Sequence, residues 1–156
     1  MADHARPLNP RGRFAAVAMR RAMQELGLAP DLVLVSSARR TRQTLEALEP
    51  WDDTPLVEAM DALYLADPPK LLAALHAVPE TVRSVLLIGH NPGMHELAVL
   101  LAGSGGAGPA AQRLTQAFLT AALAEFAIAG PWFGLDAGGG RLLRFLTPRD
   151  LPEPAA

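Results

Sequence analysis

The sequence contains no cysteine, which excludes a disulfide framework and thiol chemistry. It has a single lysine, Lys70, and no apolar run approaches the ~20 residues of a membrane-spanning helix. No signal-peptide pattern is visible near Met1. The net charge is −2, so global charge does not favour nucleic acid or an anionic membrane as a partner. These features predict a cytoplasmic protein that binds neither nucleic acid nor membranes.

Half of the 156 residues are hydrophobic, which is enough for one domain with a core. We expect that domain to span residues 1–148 and to be followed by a flexible tail at 149–156. Apolar strand-like runs alternate with helical patterns, and a strand pair follows near the end. The expected strands lie at 32–35, 56–57, 85–88, 121–128 and 141–146, and the expected helices at 11–26, 36–48, 67–78, 92–102 and 110–117. This order predicts a three-layer α/β/α sandwich with a mostly parallel sheet and an antiparallel C-terminal pair.

The segment 84–97 joins an apolar strand to a helix through Gly89 and His90. The run at 85–88 is typical of a strand buried on both faces. Asn91 is a good N-cap, and Pro92 suits the first helical position. Such a turn points free backbone N–H groups at one spot, where they favour an anion such as phosphate. The alternative is a simple connector with a solvated histidine.

The segment 36–45 places Arg39, Arg40 and Arg42 in the first turns of a predicted helix that Ser36 or Ser37 would cap. Cations near a helix N-terminus are disfavoured by ~0.3–1 kcal/mol when exposed. A bound anion would offset that cost, and a guanidinium matches a pair of phosphate oxygens. A solvated basic face is the alternative. Both segments follow strands, so they belong at the edge where open α/β sheets bind ligands.

Three motifs resemble the histidine phosphatase (phosphoglycerate-mutase-like) superfamily, and their combination with the small size is similar to its SixA branch of phosphohistidine phosphatases. They are Asp3-x-x-Arg6-Pro-Leu-Asn-x-Arg-Gly12, Ser36-Ser-x-x-Arg40-x-x-Gln43-Thr44 and Gly89-His90-Asn-Pro-Gly. The match runs over nearly the whole chain.

The resemblance implies roles for four side chains. Arg40 would clamp the phosphoryl oxygens, and His90 would stabilise the transferring phosphoryl group. Arg6 and Asn91 would bind at the substrate end of the site. Phosphoryl transfer needs chiefly positioning and charge neutralisation, so no cofactor is expected. No metal is expected either, because His90 and His95 lack the spacing of a zinc site.

The family begins with a buried strand that ends in Arg-His-Gly or Arg-His-Ala, whose histidine is the nucleophile. Only Met1 and Ala2 precede Asp3 in this sequence, so we expect the domain to be N-terminally incomplete and the nucleophile to lie upstream. His4 is not assigned this role, because it follows no apolar run and no arginine precedes it. A natural fragment that binds phosphate without chemistry is the alternative.

Glu58 and Asp61 are candidate general acids, because they fall roughly where larger relatives hold that carboxylate. Tyr64 is expected at the pocket wall. The sequence therefore predicts a phosphohistidine phosphatase that acts on a phosphorylated histidine of a partner protein through a phosphohistidine enzyme intermediate. The alternatives are a small-molecule phosphomonoesterase or mutase of the same superfamily, and a non-catalytic phosphate-binding or interaction module.

Overall fold

The computed structural model describes residues 2–103, 108–116 and 121–151. The helices are α1 Pro10–Glu25, α2 Arg39–Leu48, α3 Pro68–His76, α4 Gly93–Ala102 and α5 Pro109–Gln116. The strands are β1 Leu32–Ser36, β2 Leu56–Met60, β3 Val85–Ile88, β4 Leu123–Ile128 and β5 Gly140–Leu146. Short 3-10 helices lie at Asp3–Ala5, Asp61–Leu63, Trp132–Gly134 and Pro148–Asp150. Residue 117 of the predicted helix at 110–117 lies outside the described part.

The strands form two sheets. One is parallel with the order β2-β1-β3, and the other is the antiparallel pair β4-β5. On one side α1 packs against α2, and on the other α3 packs against α4, while α5 covers β5. The predicted fold class is confirmed. No helix within the described ranges is long and apolar enough to cross a membrane.

β1 lies in the middle of the parallel sheet and is buried along its whole length. Its side chains alternate between two cores, as the period of a strand requires. Val33 and Val35 pack with Leu45 of α2. Leu32 and Leu34 join the core that α3 and α4 supply on the opposite face. The sheet is thus fixed between two helical layers, with its carboxyl edge open.

Two helix starts differ from the expectation. α4 begins at Gly93, one residue later than predicted, with Pro92 as its N-cap, and the Met94 N–H donates to the His90 carbonyl. Asn91 therefore precedes the N-cap, and its Oδ1 accepts the His95 N–H at 3.2 Å. Neither serine caps α2, whose N-cap is Ala38. Ser36 is instead the buried last residue of β1.

β3 was predicted to be buried on both faces, and this is wrong. All four of its residues, Val85 to Ile88, are half-buried. The physical reason is that β3 pairs with β1 on one side and with no described strand on the other.

The segment predicted as a tail is partly structured. Pro148–Asp150 form a 3-10 helix with a capping box between Thr147 and Asp150, and Leu151 packs near α1. The Thr147 backbone N–H donates to the Asp150 carboxylate and lowers its pKa. Residues 152–156 lie outside the described part of the chain.

Candidate active site

The three parallel strands deliver side chains to one edge of their sheet. Ser36 ends β1, and Arg40 lies on the first turn of α2 immediately after it. His90 follows β3 by two residues, and Tyr64 follows the 3-10 turn after β2. The 3-10 turn at Asp3–Ala5 lies over the same edge, because Asp3 contacts Arg40. The edge therefore gathers groups from distant parts of the chain, as the carboxyl ends of parallel strands do.

Arg40 contacts Asp3, His90 and Tyr64, and its side chain is 17% exposed. Its Nη1 donates to the Asp3 backbone carbonyl at 2.9 Å, and its Nη2 lies 3.2 Å from the Asp3 carboxylate. The same Nη2 lies 3.2 Å from Nδ1 of His90. The guanidinium also lies over the Tyr64 ring, 5.9 Å from its centre. Arg39 is exposed, so Arg40 is the arginine of the pair that faces the cluster.

His90 is buried, and both of its ring nitrogens have partners. A guanidinium has no acceptor, so Nδ1 accepts from Arg40 and the proton sits on Nε2. Nε2–H then donates to Oγ of Ser36 at 2.7 Å, and the same oxygen accepts the Ala38 N–H at 3.3 Å. Burial, and after it the charge of Arg40, lowers the His90 pKa to about 4. His90 is therefore a neutral imidazole of defined tautomer near neutral pH.

Asp3 and Tyr64 complete the cluster. The Tyr64 hydroxyl donates to the Asp3 carboxylate, which lowers the Asp3 pKa and raises the Tyr64 pKa. The Tyr64 ring packs edge-on against His90 with ring centres 5.4 Å apart, and against His4 at 4.9 Å. His4 Nε2 lies 2.9 Å from Oγ of Ser37. The Tyr64 ring thus lies between the two histidines.

The other predicted site residues lie around the cluster rather than in it. Arg6 is 60% exposed and pairs with Asp3 at 3.3 Å. Asn91 is exposed at the turn before α4. Glu58 is exposed within the outer strand β2, and Asp61 is exposed at the following turn. Among the described residues, no hydrogen bond or ion pair joins Glu58 or Asp61 to Arg40 or His90. Their roles stay predictions.

Sequence reasoning missed the contacts of Asp3 and Ser36. Asp3 belongs to a sequence motif that assigns it no role, and the nearby Arg6, Arg11 and Arg13 are the signal that could have suggested an ion pair. Ser36 gave one signal, a hydroxyl at the end of an apolar strand, but its partner His90 is 54 residues away. Within the described ranges, no group of three or more His, Cys, Asp or Glu side chains could hold a metal ion.

No family model matches the chain. Among curated proteins, the uncharacterized protein Rv1276c of Mycobacterium tuberculosis strain H37Rv is 37% identical over 151 residues, covering 96% of this chain and 93% of that protein. The uncharacterized protein ML1117 of Mycobacterium leprae is 34% identical, with coverages of 96% and 91%. The uncharacterized chloroplastic protein At3g52155 of Arabidopsis thaliana is 28% identical, with coverages of 94% and 69%.

Comparison with solved structures identifies the family of this chain. A protein from Nakamurella multipartita described as a candidate phosphohistidine phosphatase SixA superposes with a TM-score of 0.84 at 30% identity, covering 95% of this chain and 88% of that one. A similarly described SixA from Agrobacterium tumefaciens gives 0.76 at 29%, with coverages of 95% and 87%. The protein histidine phosphatase SixA complexed with tungstate gives 0.74 at 27%, with coverages of 96% and 88%. At this level of identity and coverage, the chain belongs to the SixA-like histidine phosphatases.

Proposed function

We propose that this protein is a phosphohistidine phosphatase, which removes phosphate from a phosphorylated histidine of a partner protein in the cytoplasm. The observation that supports this most is the contact between Arg40 and His90, 3.2 Å apart at the carboxyl edge of the parallel sheet. A permanent cation and an imidazole then face the same small space, beside the N-terminus of α2. Phosphoryl transfer depends mainly on such preorganised charge.

The reaction proceeds in two displacements. A histidine nitrogen, expected upstream of this chain, attacks the phosphorus of the substrate, and the bond from phosphorus to the substrate imidazole breaks. The released imidazole takes up a proton. Water then attacks the phosphorus of the enzyme phosphohistidine, which releases inorganic phosphate and restores the free nucleophile. Arg40 stabilises the equatorial oxygens in both steps, and Arg6 and Asn91 bind the substrate end.

His90 changes its hydrogen-bonding partner when the phosphoryl group arrives. In the structure its Nδ1 is an acceptor for Arg40. A phosphoryl oxygen is itself an acceptor, so Nδ1 must gain a proton before it can donate to that oxygen. The negative charge of the phosphoryl group raises the His90 pKa from about 4 and so favours this protonation. Protonation would make His90 a cation beside the phosphoryl group, whereas a shift of its proton from Nε2 to Nδ1, with the Ser36 hydroxyl donating to Nε2, would give the same donor in a neutral ring.

The test is dephosphorylation of a phosphohistidine protein by the 156-residue chain and by a chain extended upstream in frame. We expect turnover from the extended chain, and a loss of roughly 10²–10³-fold in kcat on His90→Ala or Arg40→Ala in it. His76→Ala is the matched control, because His76 is exposed and bonds the Leu135 carbonyl away from the site. It should leave turnover unchanged.

Other outcomes contradict specific parts of the proposal. Turnover by the 156-residue chain, with acid-labile phosphate accumulating on it, would show that the nucleophile is His4 or His90. Faster turnover of sugar phosphates than of phosphohistidine would favour a small-molecule phosphomonoesterase, with Glu58 or Asp61 as general acid. Phosphate or vanadate binding without turnover in either chain would leave the binding module as the function.

A further inference from the structure

Ser36 is a buried hydroxyl behind the ring of His90. It is the last residue of β1, and solvent does not reach it. Its Oγ lies 2.7 Å from Nε2 of His90 and accepts the Ala38 N–H at 3.3 Å. Within the described ranges, this oxygen has no third partner. A hydroxyl donates one hydrogen bond and accepts up to two, so the contact with His90 decides whether the Ser36 hydroxyl donates at all.

The two ends of the neutral His90 ring require different tautomers. At Nδ1 the neighbour is Nη2 of Arg40, which can only donate, so this end requires the proton on Nε2. Nε2–H then donates to Ser36, whose own hydroxyl hydrogen is left without an acceptor in the described part of the chain. With the proton on Nδ1, the Ser36 hydroxyl would donate to Nε2, but two donors would face each other at Arg40. Each tautomer therefore leaves a hydrogen bond unmade, which is costly for a buried group.

An anion bound at Arg40 removes this conflict. An oxygen of the anion that lies within reach of both Arg40 and His90 accepts from both, so the proton of the ring can sit on Nδ1. Nε2 is then an acceptor, and the Ser36 hydroxyl donates to it while still accepting the Ala38 N–H. One proton leaves Nε2 and one joins Nδ1, so the ring takes up no proton. Which ring nitrogen carries the proton is thus set by the partner of the other.

A protonated ring is the costlier way to present a donor to the anion. Burial lowers the His90 pKa to about 4, with the charge of Arg40 as the next cause, so about one ring in a thousand is protonated at pH 7. The other titratable or charged groups that face the ring are Arg40, Asp3, His4 and Tyr64. Of these, Asp3 raises the His90 pKa, whereas Arg40 and His4 lower it. The charge of a bound anion raises it too, but the neutral ring gives the anion the same donor and satisfies Ser36 as well.

We propose that Ser36 is a positioning residue for His90, which changes from acceptor to donor at Nε2 when an anion binds and so holds the neutral ring with its proton on Nδ1. This inference deepens the proposed function and rests on it only for the identity of the natural anion, a phosphoryl group. Ser36 does not touch that anion. It acts through the ring, and a side chain without a hydroxyl cannot make the same change.

Sulfate is the probe, because it stays a dianion near neutral pH and any proton uptake on its binding belongs to the protein. The 156-residue chain, isotopically labelled at the ring nitrogens of histidine, is titrated with sulfate at pH 7, and NMR shows which nitrogen of His90 carries the proton. We expect the proton on Nε2 without sulfate and on Nδ1 with it. Calorimetry in two buffers of different ionisation enthalpy should show no net proton uptake.

Variants at position 36 separate the hydrogen bond from the shape of the side chain. Ser36→Ala should bind sulfate about tenfold more weakly, because Nε2 of the bound ring loses its donor. Ser36→Thr keeps the hydroxyl and should restore the affinity. Ser36→Cys has nearly the size of serine but only a weak donor, so it should bind nearly as weakly as Ser36→Ala. The matched control is Ser37→Ala, because Ser37 contacts His4 and not His90, and its affinity should equal that of the parent.

Four results would overturn the proposal. Protons on both ring nitrogens, with one proton taken up per sulfate, would show that His90 binds the anion as a cation. A proton that stays on Nε2 would show that His90 does not donate to the anion, and a lack of sulfate binding would show that Arg40 and His90 form no anion site. Equal affinity of Ser36→Ala, Ser36→Cys and the parent would remove Ser36 from the site, whether or not threonine fits. None of these measurements involves turnover, so phosphatase activity of the extended chain succeeds or fails separately.

Discussion

His90 is a buried imidazole that the folded protein keeps neutral. Its pKa is lowered to about 4, against about 6.5 for a histidine in an unfolded chain. Between these two values the unfolded state binds more protons than the folded state, so the free energy of unfolding rises with pH. The contribution of neutral His90 to the free energy of unfolding is fully present above about pH 6.5. It is lost progressively as the pH falls toward 4.

We therefore expect the free energy of unfolding to drop by about 1–2 kcal/mol between pH 7 and pH 5. Urea unfolding followed by circular dichroism at each pH measures it. His90→Gln should flatten the dependence in this range, since glutamine does not titrate. His76→Gln, at an exposed histidine outside the site, should keep the dependence of the parent. If the free energy of unfolding depends on pH equally in the parent and in His90→Gln, other titrating groups cause the dependence.

At the scale of single residues, the sequence could predict side chains that follow strands, and it could not predict their partners. Arg40 and His90 each follow an apolar run, and parallel strands bring such positions to one edge. The contacts of Asp3 with Arg40 and of Ser36 with His90 span 37 and 54 residues. Contacts at such separations depend on the packed structure, and no local pattern encodes them.

At the scale of elements, the first residue of α4 holds that helix against the loop that carries Tyr64. A Cβ built on Gly93 would lie 1.9 Å from the Ala66 carbonyl oxygen, which is backbone and cannot rotate away. The close approach of α4 to this loop therefore requires glycine. Tyr64 lies two residues before Ala66, and His90 three before Gly93, so the same approach sets the spacing of the two rings.

Gly93→Ala should lower the free energy of unfolding by about 2–3 kcal/mol, because the backbone must shift to relieve the overlap. It should also weaken phosphate or vanadate binding, since the shift separates Tyr64 from His90. Chemical denaturation and calorimetry measure the two effects. The control is Gly130→Ala, where the added methyl group meets nothing within 4 Å. Equal stability of the two variants would contradict this account of Gly93.

The order and type of the elements were predictable, because apolar runs and caps are local signals. Asp67 caps α3 near the start of the predicted helix at 67–78, with its Oδ1 accepting the Lys70 N–H at 3.3 Å. The predicted cap at 36–37 was wrong for a non-local reason, and the predicted cap at 91 was wrong for a local one. Ser36 bonds His90 across the sheet, and the chain makes a turn on the His90 carbonyl before α4 begins. Burial of β3 was wrong because sequence does not show which strand edges lie unpaired.

At the scale of the whole molecule, the two sheets should open as separate cooperative units. β1 is buried within the parallel sheet, whereas β4 and β5 form a two-stranded unit held mainly through α4 and α5. Two-stranded units have little independent stability in water. Regions with fewer buried contacts open at lower free energy than the core.

Native-state hydrogen exchange of the 156-residue chain should therefore give a higher opening free energy for β1 amides than for those of β4 and β5, by about 2 kcal/mol or more. NMR or mass spectrometry at several low denaturant concentrations resolves the two groups. The β1 amides should follow global unfolding. If the amides of all strands show the same opening free energy at every denaturant concentration, the molecule opens as a single unit.

The contact between Asp3 and Arg40 has a consequence for which anions the site accepts. The guanidinium of the resting protein already holds a tethered carboxylate, whose local concentration is high because it belongs to the same chain. An incoming anion must displace this internal competitor. When a free carboxylate or a chloride ion replaces the Asp3 carboxylate at Arg40, one single negative charge replaces another, so the exchange gains little free energy. A phosphoryl group bears a charge of about −1.5 to −2 at pH 7, so the exchange favours it. We therefore expect Asp3 to favour the binding of dianions over monoanions at Arg40.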